Sequence, residues 1–190
     1  MEMPNPFDNA VMSFVQNHCH NPFTDTVFPS ITYLGESGIV WIALAVLLLY
    51  FGKKSGWRTQ GLLILVAMLA GLLIGEVTIK NLVCRPRPFQ LISGDIRLLI
   101  PPPSGWSFPS GHSCSSFAAA TVVFFRDKRW GAAALVLAAL IAFSRVFLLV
   151  HYPTDVLAGA ALGVLCGTGT VLVYRKIQAA KKEKAGEKQK

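Results

Sequence analysis

The chain has 190 residues, enough for one domain, of which 53% are hydrophobic and only 15% charged; that balance excludes an ordinary water-soluble globule and points to a membrane protein. Its net charge is +8, but residues 175–190 hold seven basic and two acidic residues, so the rest is only weakly basic and nucleic acid is not expected as a partner. Cys19, Cys84, Cys114 and Cys166 form no CxxC pair and read as small apolar residues, with a bond between Cys84 and Cys114 left open.

In chain order, residues 1–30 carry Pro4, Pro6, Pro22 and Pro29. Within them Val11, Met12, Phe14 and Val15 follow roughly helical spacing, which predicts a short interfacial helix over 8–19. The segment lacks a basic start followed by an apolar run, so no signal peptide is expected. His18-Cys19-His20 is not a metal site by itself, because three adjacent side chains rarely converge on one ion.

Five apolar stretches follow, over 31–51, 61–83, 111–125, 131–150 and 156–174, the third being the shortest. Each reads as a membrane-crossing helix. The expected fold is therefore all-α: an integral-membrane bundle of about five transmembrane helices forming a single domain over 1–174, with a disordered basic tail over 175–190. Gly71-xxx-Gly75 and Gly159-xxx-Gly163-xxx-Gly167 place small residues along single helix faces, where helices approach closely. Lys53, Lys54 and Arg58 mark one basic loop, Arg126, Lys128 and Arg129 a second, and the tail a third, whereas residues 1–38 contain no Lys or Arg. Short cytoplasmic loops collect these residues. The basic loops and C-terminus are thus expected in the cytoplasm, and the N-terminus, residues 84–110 and the 151–155 turn on the extracytoplasmic side of the cell membrane.

Ionisable side chains inside apolar runs are costly and need a partner or a purpose. Glu76 and Lys80 are four residues apart with the acid first, the order that favours a same-face ion pair. Arg87-Pro88 follows seven residues after Lys80; a compact ammonium and a guanidinium fork together suit the oxygens of a phosphate. Pro109-Ser110-Gly111-His112 opens the third apolar stretch. A helix N-terminus offers unpaired backbone N–H groups to an anion, glycine allows close approach, and His112 can supply a proton. Further on, Ser144-Arg145 lies within the fourth stretch and His151-Tyr152-Pro153-Thr154-Asp155 joins it to the fifth. Pro153 suits the first position of a helix, so Asp155 falls in its opening turn, within reach of His151. A histidine oriented in this way is a usable nucleophile or base. The residues alone leave open which histidine attacks, although Asp155 favours His151.

No acidic cluster accompanies these residues: Asp25, Glu36, Asp95 and Asp155 are scattered. Neither a two-metal site nor any other metal or cofactor is expected, and Lys80, Arg87, Arg145 and backbone donors are left to neutralise a phosphoryl group.

The three segments Lys80-x6-Arg87-Pro88, Pro109-Ser110-Gly111-His112 and Ser144-Arg145-x5-His151-x3-Asp155 closely resemble, in order, the tripartite signature of the type 2 phosphatidic acid phosphatase family. The resemblance spans residues 80–155 and implies a metal-independent lipid phosphatase. It implies that His151 attacks phosphorus to give a phosphohistidine, that Asp155 orients it, that His112 protonates the leaving oxygen, and that Lys80, Arg87, Ser110, Gly111 and Arg145 hold the phosphate. Arg85 is additional to the signature and reads as a contact to the headgroup layer, with a second substrate phosphate as the alternative. The expected partners are membrane lipids and a lipid phosphate substrate. The small bundle resembles bacterial members that act on undecaprenyl diphosphate, with phosphatidylglycerophosphate and phosphatidic acid as rivals. Leu98, Leu99, Ile100, Trp106 and Phe108 are candidates for the entrance of its tail or for interfacial anchors. Two further functions compete: a vanadate-dependent haloperoxidase, which a membrane bundle disfavours, and a non-hydrolytic headgroup binder or transporter, which would not need an oriented nucleophile.

Overall fold

A computed structural model describes residues 5–53, 56–91 and 98–187. Lys54, Asp95 and the last three residues of the tail, which entered the sequence reading, lie outside them. Helix α1 spans Pro6–His18; the Asn5 side chain accepts from the Asp8 N–H at its start, and Pro6 needs no such bond. Met12 and Val15 pack into a cluster with Val146, Phe147 and Val150, while Phe7 and Phe14 stay exposed. The expected interfacial helix is therefore docked by one face on the bundle.

The first predicted span is broken. Helix α2 runs over Thr24–Leu34 with Pro29 inside it, beginning ahead of the predicted span. A 3₁₀ turn over Glu36–Gly38 then bends the chain, with Ser37 at φ 50° and Gly38 at φ 68°. Helix α3, Ile39–Phe51, leaves at 45° to α2. Left-handed backbone ends a helix whatever the hydropathy around it, and Gly38 adopts it at little cost.

Helix α4, Arg58–Gly71, continues through a π-helical stretch over Leu72–Ile79 into the single turn of α5, Lys80–Val83. Cys84, at φ 50°, ends it. A second single turn, α6, covers Pro88–Leu91. Helices α7, Gly111–Arg126, α8, Lys128–Phe147, and α9, Pro153–Glu187, complete the bundle.

Helix α7 occupies its centre. Its 16 residues cover only about 24 Å at the usual rise, less than a hydrocarbon core. Protein surrounds it instead, with Ala118, Ala119, Ala120 and Val122 buried among residues of α3, α4 and α8. Among the described residues, three helical runs are long and apolar enough to cross a membrane, and the bent α2–α3 pair makes a fourth. The all-α membrane bundle is as expected, and the third predicted span is this short enclosed helix.

Close contact between α7 and α9 follows from the glycine stripe. A Cβ at Gly159 would collide with the Ser110 carbonyl, and one at Gly163 with the Cys114 carbonyl. Helix α9 also corrects the sequence reading, because residues 175–187, expected as a disordered tail, continue it as helix. Their Ala, Lys, Glu and Gln content favours that state. Arg126 stacks over Trp57 at 5.6 Å and Arg175 over Phe125 at 5.3 Å, which gathers both basic loops and the tail at one end of the bundle. All four cysteines are free thiols, Cys84 exposed and Cys114 buried, so the open question of a bond between them is answered.

Candidate active site

At the opposite end, the turn between α8 and α9 holds the candidate histidine and carboxylate. The Arg145 carbonyl accepts N–H bonds from Val150 (3.2 Å) and His151 (3.1 Å), and Leu149 takes φ 59°. This folds the chain back and leaves His151 only 2% exposed. Asp155 sits in the first turn of α9; its Oδ2 accepts the Tyr152 N–H at 2.9 Å and lies 3.5 Å from His151 Nδ1. The other ring nitrogen, Nε2, is 3.2 Å from Arg87 Nη1. With a carboxylate beside Nδ1, the proton belongs there and the lone pair at Nε2. Burial pushes His151 down to about 4, with the Arg145 and Arg87 charges adding to it and Asp155 opposing. The ring is therefore neutral near pH 7, with its Nε2 lone pair accepting from the guanidinium.

Three cations share a cavity with this histidine. Arg87 is 4% exposed and donates to the carbonyls of Val150 at 2.9 Å, Ser104 at 3.0 Å and Gly105 at 3.0 Å. Arg145 donates through Nη1 to Thr32 Oγ1 at 2.7 Å, while its buried Nε has no protein partner. Lys80 contacts both oxygens of Glu76, at 2.6 and 2.7 Å, the ion pair their spacing predicts.

The mouth of α7 completes the site. Ser110 caps the helix; its Oγ accepts from the Ser113 hydroxyl at 3.1 Å and its N–H donates to the Asp155 carbonyl at 3.0 Å. It is fully buried behind Gly111, so its first role is to join α7 to the turn. A Cβ at Gly111 would collide with Glu76 Oε1. His112 Nε2 lies 3.5 Å from Glu36 Oε2, a carboxylate delivered by the 3₁₀ turn.

Lys80, Arg87, Gly111, His112, Arg145 and His151 all line one cavity of about 640 Å³. Its apolar wall comes from Ile42, Leu65, Met68, Leu69 and Leu72. The entrance residues read from the sequence are placed elsewhere: Ile100 is buried in the cluster beneath α1, with Leu98 packed against it, whereas Leu99 and Trp106 are exposed. Another cavity, of about 660 Å³, lies at the basic end between α3 and α8, and its lining contains no ionisable side chain. Among the described residues no three His, Cys, Asp or Glu side chains group as a metal site would require.

Two site residues escaped the sequence reading. Arg85, read as a headgroup contact, turns inward: Nη1 donates to Asp155 Oδ1 at 2.6 Å and Nη2 to Asp8 Oδ2 at 2.7 Å. Its guanidinium also stacks over Tyr152, 3.8 Å from the ring centroid. Asp8 is fully buried and accepts from the Thr154 N–H (2.9 Å) and hydroxyl (2.7 Å). An acid in the first turn of an amphipathic helix gives no warning that its partner lies near residue 85.

The fold and this site define a membrane-embedded helical protein with a carboxylate-backed histidine facing a cavity lined by three cations and an apolar wall. The sequence pattern of the PAP2 superfamily matches residues 60–179, and the chain belongs to that family. It is 33% identical to the undecaprenyl-diphosphatase of Sulfolobus acidocaldarius over 125 residues, which cover 65% of this chain and 58% of that relative's length. It is 30% identical to the undecaprenyl-diphosphatase BcrC of Bacillus subtilis over 148 residues, 78% of this chain and 74% of the relative. The crystal structure of a transmembrane PAP2-type phosphatidylglycerolphosphate phosphatase from Bacillus subtilis superposes with a TM-score of 0.72 at 30% identity, covering 90% of this chain and 85% of the other.

Proposed function

We propose that this chain is a membrane lipid phosphatase that works through a phosphohistidine. His151 Nε2 attacks phosphorus; the bond from phosphorus to the lipid-side oxygen breaks, and His112 protonates that oxygen as it leaves. Glu36 Oε2 lies 3.5 Å from His112 Nε2, close enough to orient that ring. Water then attacks the phosphohistidine, giving its proton to His112 and releasing inorganic phosphate. Lys80, Arg87, Arg145 and the N–H groups at Gly111 and His112 offset the charge on the phosphoryl oxygens. Lys80 exchanges Glu76 for substrate. The observation that carries this reading is the His151 ring, with Asp155 on one nitrogen and Arg87 beside the other. A non-hydrolytic binder would have no use for that arrangement.

The substrate is undecaprenyl diphosphate. Two relatives carry undecaprenyl-diphosphatase names, and the apolar wall of the cavity stands directly beside the cations. The second reading is phosphatidylglycerophosphate, favoured by the name of the superposed Bacillus subtilis structure. The test is phosphate release by purified protein from both lipids, phosphatidic acid and water-soluble esters, with specificity constants compared. The diphosphate should give the highest value; a higher value for phosphatidylglycerophosphate would replace the first reading. The same rates should persist in EDTA, and a strict Mg²⁺ requirement would overturn the metal-free charge balance.

The site faces the extracytoplasmic side of the cell membrane and residues 175–187 the cytoplasm. Support comes from Lys53, Arg58, Arg126, Lys128, Arg129 and the tail, set against residues 1–38 with no Lys or Arg. A cysteine placed beyond Lys181 should be shielded in intact cells from a membrane-impermeant thiol reagent. Labelling from outside would reverse the orientation.

A further inference from the structure

Two fully buried carboxylates, Asp8 and Asp155, share the single guanidinium of Arg85. A buried carboxylate without a partner is expensive, so the three groups belong together, and as a trio they carry one net negative charge. Each atom of Asp155 is already committed: Oδ1 to Arg85 at 2.6 Å, Oδ2 to the Tyr152 N–H at 2.9 Å, with Oδ2 also nearest His151 Nδ1 at 3.5 Å. The Arg85 fork therefore fixes the rotation of the carboxylate that faces the histidine. By itself, a one-to-one pair with Arg85 would cancel the charge His151 needs when its ring becomes cationic. Asp8 supplies the second negative charge that prevents this. It is held by Thr154, the residue preceding Asp155, and by Asn5 Nδ2 at 3.0 Å.

We propose that Arg85 and Asp8 are positioning residues for the phosphoryl-transfer step, acting on His151 through Asp155. Helix α1 is then part of the reaction centre, since it delivers the charge that keeps Asp155 effectively anionic. This inference rests on His151 as the nucleophile.

The test is a single-turnover assay, with full-length enzyme in excess over radiolabelled undecaprenyl diphosphate in detergent micelles. It is run on wild type, Asp8→Asn, Arg85→Lys, Val15→Ala and His151→Ala. Asp8→Asn keeps the size of the side chain and removes the charge. Its rate constant should fall roughly tenfold, the effect of one pKa unit of lost support for the imidazolium, while the amplitude and KM stay near wild type. Arg85→Lys keeps one cation and loses the fork, and should also slow the rate at preserved amplitude. Val15→Ala loosens α1 through its apolar packing alone, and should lower the thermal midpoint without changing the rate per active molecule. A tether role predicts the reverse for Asp8→Asn: reduced amplitude with an unchanged rate constant, which would overturn the proposal. If Asp8→Asn does not fold, Arg85→Lys carries the same comparison, and a wild-type rate in it is equally fatal. His151→Ala separates the two levels. Turnover in that variant would sink the nucleophile itself, whereas a dead His151→Ala beside a wild-type-like Asp8→Asn would sink only the role of α1.

Discussion

Replacing His151 by alanine should lower phosphate release by at least roughly 10⁴-fold, in the range of losses when a covalent nucleophile is removed. The ring is buried, with Arg87 beside Nε2 and the Asp155 carboxylate nearest Nδ1, and no other neutral imidazole shares that pairing. His112, the remaining histidine on the cavity wall, faces Glu36 instead. Alanine leaves the Arg145 carbonyl bonds to the 150–151 backbone intact, because they use main-chain N–H groups, so the turn should survive and substrate should still bind. The check is to measure turnover and equilibrium lipid binding on the same preparation. Turnover near wild type would remove His151 from the reaction, and lost binding would mean that the variant had collapsed.

Asp155→Asn should be almost as damaging, with turnover down by about 10⁴-fold, the loss produced when an amide replaces the carboxylate that orients a catalytic histidine. Asn has one acceptor where Asp has two. One oxygen is needed by Arg85 Nη1 and the other by the Tyr152 N–H. Either orientation of an amide sets its NH₂ against one of these donors, which costs about 1–3 kcal/mol for the group left unsatisfied. It also withdraws the charge facing the imidazolium, so both stability and rate should fall. Thermal unfolding and turnover measured together test this: a variant with normal stability and normal turnover would show that the carboxylate is not the partner of His151.

The contributors to the pocket were legible in the sequence for one reason. Lys80, Arg145 and His151 stand within or at the ends of apolar runs, where a charge or imidazole is conspicuous, and their spacing to Arg87, His112 and Asp155 follows a pattern. Arg85 had the same visibility, yet a cation at a membrane exit already has an ordinary explanation, and its partner Asp8 lies 77 positions away. Glu36 and Thr32 were hidden differently. Gly35-Glu36-Ser37-Gly38 interrupts the apolar run only briefly, and nothing in it says that Ser37 and Gly38 turn left-handed, that Glu36 meets His112 or that Thr32 meets Arg145. Helix α7 was legible as an apolar run over 111–125, but not as the enclosed centre of the bundle, since an apolar segment surrounded by other helices looks the same as one meeting lipid. The tail was misjudged because charge repetition suggests disorder, while Ala, Lys and Glu are also strong helix formers.

Helix α9 has 35 residues, about 52 Å of axial length against a hydrocarbon core of about 30 Å. Its catalytic end is pinned by Asp155, so the surplus of about 20 Å must emerge at the far face. Lys176, Lys181, Lys182 and Lys184 lie on that projecting rod, and the ones described are exposed. A purification tag or fluorescent protein fused after Glu187 would ride clear of the lipid headgroups, a full membrane thickness away from the reacting phosphorus.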